Sequence, residues 1–377
     1  MRIALVTEYY YPHLGGITEH VHNLAKVFNA GEDRAIVVTS RMHPPVGTPD
    51  AHEYGCDAEF VRRIGTSRVV YTAGSFARLT SGWRLRRRLT ELFREERIDL
   101  VHVHTGLAPT LGVVAPLAAW DLGLPVVATY HSWFASSHLL RLCRGIAQWG
   151  ISRHAANIAV SQPVIDAHAR YLDAEWEIIP NGVDTTFFHP SDRAPEEAFG
   201  DGPRLLFVGR FDPRNALETV IRALPAVLAR YPGASLTVAG DGPLRGRYER
   251  LARPLGDRVS FIGRVNGDRP QVYGSSDVYL CPAVMASFGI TLLEAMACGR
   301  PLIVSDITGF RELVNGGSEA VLARKSDPRA WAQAIVDLIG QPERRAAMGA
   351  AGVAKAQAYA WPLVAERVMA VYRRAMG

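Results

Sequence analysis

A loop before a short apolar helix carries the first candidate for chemistry. Residues 286–299 predict a Ser287-Phe288-Gly289 turn, then an apolar helix that ends at Gly299. The first turn of a helix leaves backbone N–H groups unpaired, so this loop offers donors to an anion or to a ligand's oxygens. Glu294 interrupts the apolar run. A carboxylate early in a helix also suits the macrodipole, but its apolar surroundings favour a ligand role.

Glycines and a histidine mark two further candidates. Gly15 and Gly16 lie between a predicted strand and a predicted helix, where glycine lets the backbone approach a phosphate or sugar closely. A turn without a ligand is an equal alternative. His131 ends an apolar run, at the edge where α/β folds bind ligands, and we interpret it as a site residue. His102 and His104 alternate on one predicted strand and are interpreted as structural.

Positive charge follows a strand in the second half of the chain. Gly209 and Arg210 come directly after the apolar run 205–208, and Arg214 and Asn215 precede a predicted helix from Ala216. A surface ion pair is the alternative interpretation of Arg210.

The elements that position these residues alternate between strand and helix. Predicted strands lie at 3–6, 35–38, 60–61, 100–103, 125–129, 158–161, 205–208, 236–239, 259–262, 278–280 and 302–304. Such alternation predicts parallel, doubly wound sheets whose ligands bind at the carboxyl ends of the strands. No Gly-x-Gly-x-x-Gly follows the first strand, which argues against a nicotinamide site. A polar stretch at 192–202 predicts a linker between domains at 1–190 and 203–361.

Length and composition narrow the class of protein. A chain of 377 residues predicts two domains, and 48% hydrophobic with 21% charged residues is ordinary for a soluble protein. No apolar run approaches the ~20 residues of a spanning helix, and the start does not resemble a signal peptide, so we expect a cytoplasmic protein. The four cysteines lack metal-type spacing and predict free thiols. A net charge of +5 fits an anionic partner.

A basic helix is predicted between Trp83 and Arg97. Its leucines and Phe93 form an apolar stripe, and arginines cluster near its start at Arg84, Arg86, Arg87 and Arg88. A packed helix with a solvated face and a patch that adsorbs to anionic lipid both fit this pattern.

The order of these motifs resembles one enzyme family. The motifs are Gly15-Gly16, His131, Pro180-Asn181-Gly182, Gly209-Arg210, the Gly240–Pro243 turn, Ser287-Phe288-Gly289, Glu294 and Ser305-Asp306. Together they resemble the retaining GT-B glycosyltransferases of family GT4. Residues 73–112 and 306–311 look most like bacterial phosphatidylinositol mannosyltransferases. Two positions depart from the family pattern, with Ala286 in place of a glutamate and Asn215 in place of a lysine.

The resemblance implies a fold and a set of roles. It implies two Rossmann-like domains facing across a cleft, with a C-terminal helix at 362–377 packing back on the first, acceptor-binding domain. His131, Arg210 and Glu294 would contact the sugar, the diphosphate and the ribose. The implied substrate-binding residues are Gly15, Gly16, Arg214, Asn215, Arg264, Val265, Ala286, Ser287, Phe288, Gly289 and Ile290.

The resemblance also implies a reaction. A hexose of mannose or glucose type would pass from a GDP- or UDP-linked donor to a lipid or envelope-glycan acceptor, at the inner face of the membrane. No cofactor, metal or nucleic acid is expected. An inactive binding protein with the same fold is the alternative. A phosphorylase would need a pyridoxal-phosphate lysine, and Lys26, Lys325 and Lys355 follow no such motif.

Overall fold

Alternating strands and helices build two units, each around its own sheet. The computed structural model describes residues 1–13, 15–42, 59–72, 75–105, 110–190, 202–265, 267–314 and 318–377. The predicted linker at 192–202 lies almost wholly outside the described residues, as does Cys56. Contacts divide the chain into Met1–Asn181 with Trp361–Gly377 and Gly182–Ala360.

The first unit contains an eight-stranded sheet. Its strands are β1 (Arg2–Thr7), β2 (Arg34–Arg41), β3 (Val61–Thr72), β4 (Ser75–Ser81), β5 (Leu100–Thr105), β6 (Val126–Tyr130), β7 (Ala156–Ala159) and β8 (Glu177–Ile178). Their order is β4-β3-β2-β1-β5-β6-β7-β8, and every pair is parallel except β3 with β4. The sequence predicted strand only at 60–61 in this region and missed the antiparallel edge. Its strands are mixed in polarity, so they lack the continuous apolar signal of the central ones.

Among the described residues, seven α-helices belong to this unit. They are α1 (Gly16–Ala30), α2 (Leu85–Glu95), α3 (Leu111–Trp120), α4 (His138–Leu142), α5 (Arg144–Ile151), α6 (Gln162–Ala169) and the C-terminal helix, numbered α14 (Trp361–Met376). Helix α14 completes the core that α1 and the central strands form. The hydroxyl of Tyr372 lies 2.6 Å from Nδ1 of His102 on β5, which ties the chain end to the sheet.

The second unit contains a six-stranded parallel sheet. Its strands are β9 (Arg204–Val208), β10 (Ser235–Ala239), β11 (Val259–Gly263), β12 (Val278–Cys281), β13 (Leu302–Ser305) and β14 (Ala320–Ala323), in the order β11-β10-β9-β12-β13-β14. Its helices are α7 (Glu218–Arg230), α8 (Arg245–Ala252), α9 (Arg269–Gly274), α10 (Ile290–Ala297), α11 (Thr308–Arg311), α12 (Pro328–Ile339) and α13 (Pro342–Gln357). The sequence did not predict β14, a four-residue edge strand.

Two boundaries differ from the sequence pattern. Residues 182–190 group with the second unit, because the N–H of Val183 donates to the carbonyl of Tyr359 at 2.9 Å. The helix expected from Ala216 begins at Glu218, after a 3-10 turn at Pro213–Asn215. Cys281 and Cys298 are buried and unbridged, as predicted.

Candidate functional site

In each unit the order of the strands reverses at one point. This point lies between β1 and β5 in the first unit and between β9 and β12 in the second. Ligands of open parallel sheets bind outside the carboxyl ends of the strands at such a point, because the loops there diverge to opposite faces. Gly15 and Gly16 follow β1, Arg210 follows β9, and the Ser287-Phe288-Gly289 loop follows β12. The topology therefore places each of these predicted segments at the ligand-binding edge of its own sheet.

A buried carboxylate organises the loop after β9. Oδ2 of Asp212 lies 3.2 Å from Nη2 of Arg210 and 3.4 Å from Nη2 of Arg214. Its Oδ1 accepts the N–H groups of Arg214 and Asn215 at 3.1 and 3.2 Å, which caps the 3-10 turn. Both guanidinium groups are partly exposed, whereas Asp212 is buried. Asp212 thus holds two cations on one loop. Its single negative charge does not neutralise both arginines, so the loop keeps a net positive charge.

Asn215 stands where the family has a lysine, and its side chain makes a hydrogen bond within the loop. Its side-chain amide donates to the carbonyl of Arg210 at 2.7 Å, so it fixes the turn that carries the first arginine.

Two glycines let a neighbouring loop support this one. A Cβ atom at Gly240 would lie 1.9 Å from the carbonyl oxygen of Gly209, and one at Gly242 would lie 2.7 Å from that of Phe211. Both glycines also have positive φ. Between them, Asp241 lies 3.7 Å from Nε of Arg264, the residue after β11, and Val265 follows it. The loops after β9, β10 and β11 therefore form one surface.

The loop after β12 contacts the same surface. The N–H of Val284 donates to the carbonyl of Arg214 at 2.8 Å. Further along, Gly289 has a φ of +106° and precedes Ile290, the first residue of α10. A Cβ atom at Gly309 would lie 2.1 Å from the carbonyl oxygen of Ala286, so α11 packs on the backbone at the position that departs from the family. Phe288 is buried.

Glu294 lies on α10 and is almost fully buried, with two strong donors. Nη1 of Arg269 is 2.7 Å from its Oε1, and the hydroxyl of Tyr273 donates to its Oε2 at 2.7 Å. Burial is the main cause that raises the pKa of the Tyr273 hydroxyl well above its ordinary value, and the nearby Glu294 adds to it. An arginine and a tyrosine hydroxyl therefore hold the carboxylate of Glu294 in a fixed orientation.

In the first unit, His131 belongs to a cluster of buried histidines. Its Nε2 lies 3.1 Å from Nδ1 of His104, and its ring centroid lies 4.9 Å from that of His20. Nδ1 of His20 is 2.8 Å from Oδ1 of Asn181. Burial lowers the pKa of His20 to about 4, and burial with neighbouring histidines lowers the pKa values of His104 and His131 well below the ordinary value. These imidazoles are neutral, so His131 would meet a sugar as a hydrogen-bonding group and not as a cation.

Neutral imidazoles are also metal ligands. Among the described residues, the candidate group of three is His20, His104 and His131, whose ligand atoms lie within 4.8 Å of one another. Nε2 of His20 and Nε2 of His104 are buried without a hydrogen-bond partner in the described structure. The expectation of no metal stays a prediction.

A buried acid after β1 was missed by sequence reasoning. Oε1 of Glu8 accepts the N–H of Leu111 at the start of α3, and burial raises the pKa of Glu8 to about 7. Asp212, His20 and Arg269 were missed as well. Polar residues directly after apolar strands were the available signal for Glu8, and two arginines flanking an aspartate were the signal for Asp212. No pattern in the sequence links Arg269 to Glu294.

Two of the four arginines in the predicted basic patch, Arg86 and Arg87, are paired with acids. Nε of Arg86 lies 2.7 Å from Asp121, and Nε of Arg87 lies 2.7 Å from Glu91. The guanidinium of Arg84 lies 5.9 Å from the ring centroid of Trp83. No described helix has both the length and the apolar character needed to cross a membrane.

Solved structures define the class first. A glycosyltransferase from Rickettsia africae matches with a TM-score of 0.79 at 16% identity, over 100% of this chain and 98% of that one. The Anabaena protein HepE, solved with UDP and glucose, matches with a TM-score of 0.79 at 20% identity, over 99% of each chain. These likenesses show the two-domain α/β fold of the GT-B glycosyltransferases.

Sequence comparisons then give the family. Models described as "Glycosyltransferase Family 4" and "Glycosyl transferases group 1" match residues 14–187 and 202–341. The phosphatidyl-myo-inositol mannosyltransferase of Mycobacterium tuberculosis is 32% identical over 390 residues, covering 100% of this chain and 98% of that protein. The Mycolicibacterium smegmatis protein of the same name is 30% identical over 387 residues, covering 100% and 95%. The chain belongs to the family 4 glycosyltransferases and is a hexosyltransferase.

Proposed function

We propose that this glycosyltransferase moves a hexose from a UDP- or GDP-linked donor to a hydroxyl of a lipid headgroup, with retention of configuration. The relatives' name, phosphatidyl-myo-inositol mannosyltransferase, favours mannose and an inositol phospholipid. The observation that carries the proposal is the arginine pair that Asp212 holds after β9, beside the reversal of the strand order.

The two arginines would serve the leaving group. When the bond between the anomeric carbon and the β-phosphate oxygen breaks, its electron pair stays on the diphosphate, and fixed cations stabilise the charge that develops. Arg210 and Arg214 are fixed by Asp212, so no reorganisation is needed as the charge grows. Backbone N–H groups at the start of α10 would bind the remaining phosphate oxygens.

The other residues would hold the donor and the sugar. Glu294, oriented by Arg269 and Tyr273, would accept hydrogen bonds from the ribose hydroxyls. Neutral His131 would hydrogen-bond the hexose, and the Gly15-Gly16 turn at the start of α1 would line the acceptor side. The acceptor oxygen would attack the anomeric carbon on the face that the phosphate leaves, and its proton would pass to a departing phosphate oxygen. We propose that no metal is required, because the arginines supply the positive charge.

An inactive nucleotide-binding protein is the second candidate. Two observations favour it. Ala286 stands where the family pattern has a carboxylate, and the side-chain amide of Asn215 donates to the carbonyl of Arg210. It predicts nucleotide binding without transfer.

Calorimetry with UDP and with GDP tests the site. Arg210→Ala should weaken binding of the preferred nucleotide by about tenfold or more, because it removes a charge-assisted bond. Arg250→Ala is the matched control, since that exposed guanidinium donates to the carbonyl of Gly246 within α8. Equal affinities of both variants, or no nucleotide binding by the wild type, would refute the site.

A further inference from the structure

An apolar stripe on α4 and α5 points away from the core of the first unit. The two short helices meet at Cys143, and backbone bonds from Cys143 to Leu139 and from Ala147 to Cys143, both of 2.9 Å, carry the α-helical pattern through the junction. Side chains three or four positions apart therefore share one face. The exposed ones are Leu139 at 60%, Leu142 at 85%, Ile146 at 73% and Trp149 at 45%.

The opposite face of this segment is firmly attached. Ile151 is buried, and the side chain of Gln148 makes two bonds to the backbone of Asp173, of 2.7 and 2.8 Å. At the start, the hydroxyl of Ser137 accepts the N–H of Leu140 at 3.2 Å, and the N–H of Ser137 donates to the hydroxyl of Tyr171 at 3.0 Å. The exposed stripe is thus the outer face of a docked segment, in a fixed orientation.

The segment that carries the stripe has formal charge of one sign. Residues 137–154 contain Arg141, Arg144 and Arg153 and no aspartate or glutamate. The guanidinium of Arg153 lies 4.2 Å from the ring centroid of Trp149. A tryptophan, aliphatic side chains and arginines on one surface helix suit the boundary between lipid headgroups and acyl chains. Arginines near such a surface add attraction to anionic lipids.

Its position links the stripe to the site. Strand β6 ends at Tyr130, His131 follows, and the same stretch of chain continues into α4. A surface held at a bilayer by this stripe would keep the loop of His131 near lipid headgroups.

The basic helix α2 fits insertion less well. Its apolar residues Leu85, Leu89 and Phe93 are buried in the protein, and Arg86 and Arg87 are paired with acids. Helix α2 therefore has no apolar face left to insert.

We infer that the face formed by Leu139, Leu142, Ile146 and Trp149, with Arg153 beside Trp149, inserts into the surface of a bilayer that contains anionic phospholipid. The inference rests on the proposed function only in taking the acceptor to be a lipid. A protein partner on this face is the outcome that would replace it.

Vesicle sedimentation tests the inference without donor or acceptor turnover. The probe is phosphatidylcholine vesicles with and without phosphatidylinositol. We expect the wild type to bind the anionic vesicles. The double variant Leu142→Gln, Ile146→Gln should have a partition coefficient at least about tenfold lower. Leu363→Gln, which changes an exposed leucine on α14, should bind like the wild type. A neutralised α2 variant, Arg87→Gln with Arg88→Gln, should lose less than the stripe variant.

A probe on the stripe gives a second measurement. A polarity-sensitive fluorophore on Leu142→Cys, in a Cys56→Ser, Cys143→Ser background, should shift to the blue when anionic vesicles are added. The inference is overturned if the stripe variant binds vesicles like the wild type, or if its only defect is lost self-association or lost protein binding. Vesicle binding without sugar transfer would instead refute the proposed function and leave the surface standing.

Discussion

Lowering the pH from about 7 to about 5 should destabilise the histidine cluster, and His20 gives the effect a magnitude. The unfolded chain binds a proton at the ordinary histidine pKa of 6.5, whereas burial holds the pKa of folded His20 at about 4. A histidine with a depressed pKa contributes stability that is full above about pH 6.5 and is lost as the pH falls toward the folded value. The linkage relation gives about 2 kcal/mol lost per such histidine at about pH 5.

The neighbours of His20 also change the stability of the folded state as the pH falls, and the direction of each change follows from its pKa shift. His102, His104 and His131 have pKa values lowered by burial, so they add to the loss. Glu8 opposes it, because burial raises its pKa from 4.5 to about 7 and protonation then favours the folded state. The total change in the free energy of unfolding is a sum of opposing contributions. The contribution of one histidine must therefore be measured by substituting that residue alone.

The variant His20→Gln isolates it, because an amide can still donate to Oδ1 of Asn181. Hydrogen exchange of peptides from β5 and β6 measures the free energy of opening at both pH values, after correction for intrinsic exchange. The wild type should lose about 2 kcal/mol more than His20→Gln. His168→Gln, which removes a second histidine whose pKa burial lowers to about 4, should show a similar difference. An equal loss in the wild type and His20→Gln would refute the assignment of neutral, buried imidazoles.

Four further outcomes are expected. Arg210→Ala should reduce turnover about 10²- to 10³-fold in a transfer assay, and Arg250→Ala should not. Asn215→Lys should tighten nucleotide-diphosphate binding about tenfold in calorimetry, unless breaking the bond to the Arg210 carbonyl displaces that loop. Arg269→Ala should destabilise the second unit by about 3–5 kcal/mol in denaturant unfolding, because it leaves Glu294 buried without its cation; a change under 1 kcal/mol would contradict that. A chelator such as EDTA should leave the transfer rate unchanged, whereas loss of activity restored by zinc would assign a metal to His20, His104 and His131.

The central strands were predictable from sequence, whereas some of the edge strands were not. Buried parallel strands such as β1, β9 and β12 are largely apolar runs, and that composition identifies them. The β3 and β4 pair lies at a sheet edge, where exposure mixes polar and apolar residues, and β14 is a four-residue apolar strand at the edge of the other sheet. The GT-B fold itself came from the resemblance, and the solved structures confirm it.

The site residues that belong to a local sequence motif were predictable. Arg210, Gly289 and Glu294 each follow from local spacing and from the family pattern. Their supporting contacts join residues that are distant along the chain: Arg269 on α9 pairs with Glu294, and His20 contacts Asn181, 161 residues further on. Periodicity reports only on neighbours along the chain, so it carries no record of such pairs. The roles assigned to the site residues stay predictions.

Detection of the transferred sugar by NMR tests the central claim most directly. The wild type is incubated with α-linked GDP-mannose or UDP-glucose and phosphatidylinositol vesicles, and the anomeric signals of donor and lipid product are followed. The proposed reaction predicts an α-linked product that forms with the wild type and almost disappears with Arg210→Ala. A β-linked product would contradict retention, and tight nucleotide binding with no product from a broad panel of donors and lipids would show an inactive binding protein.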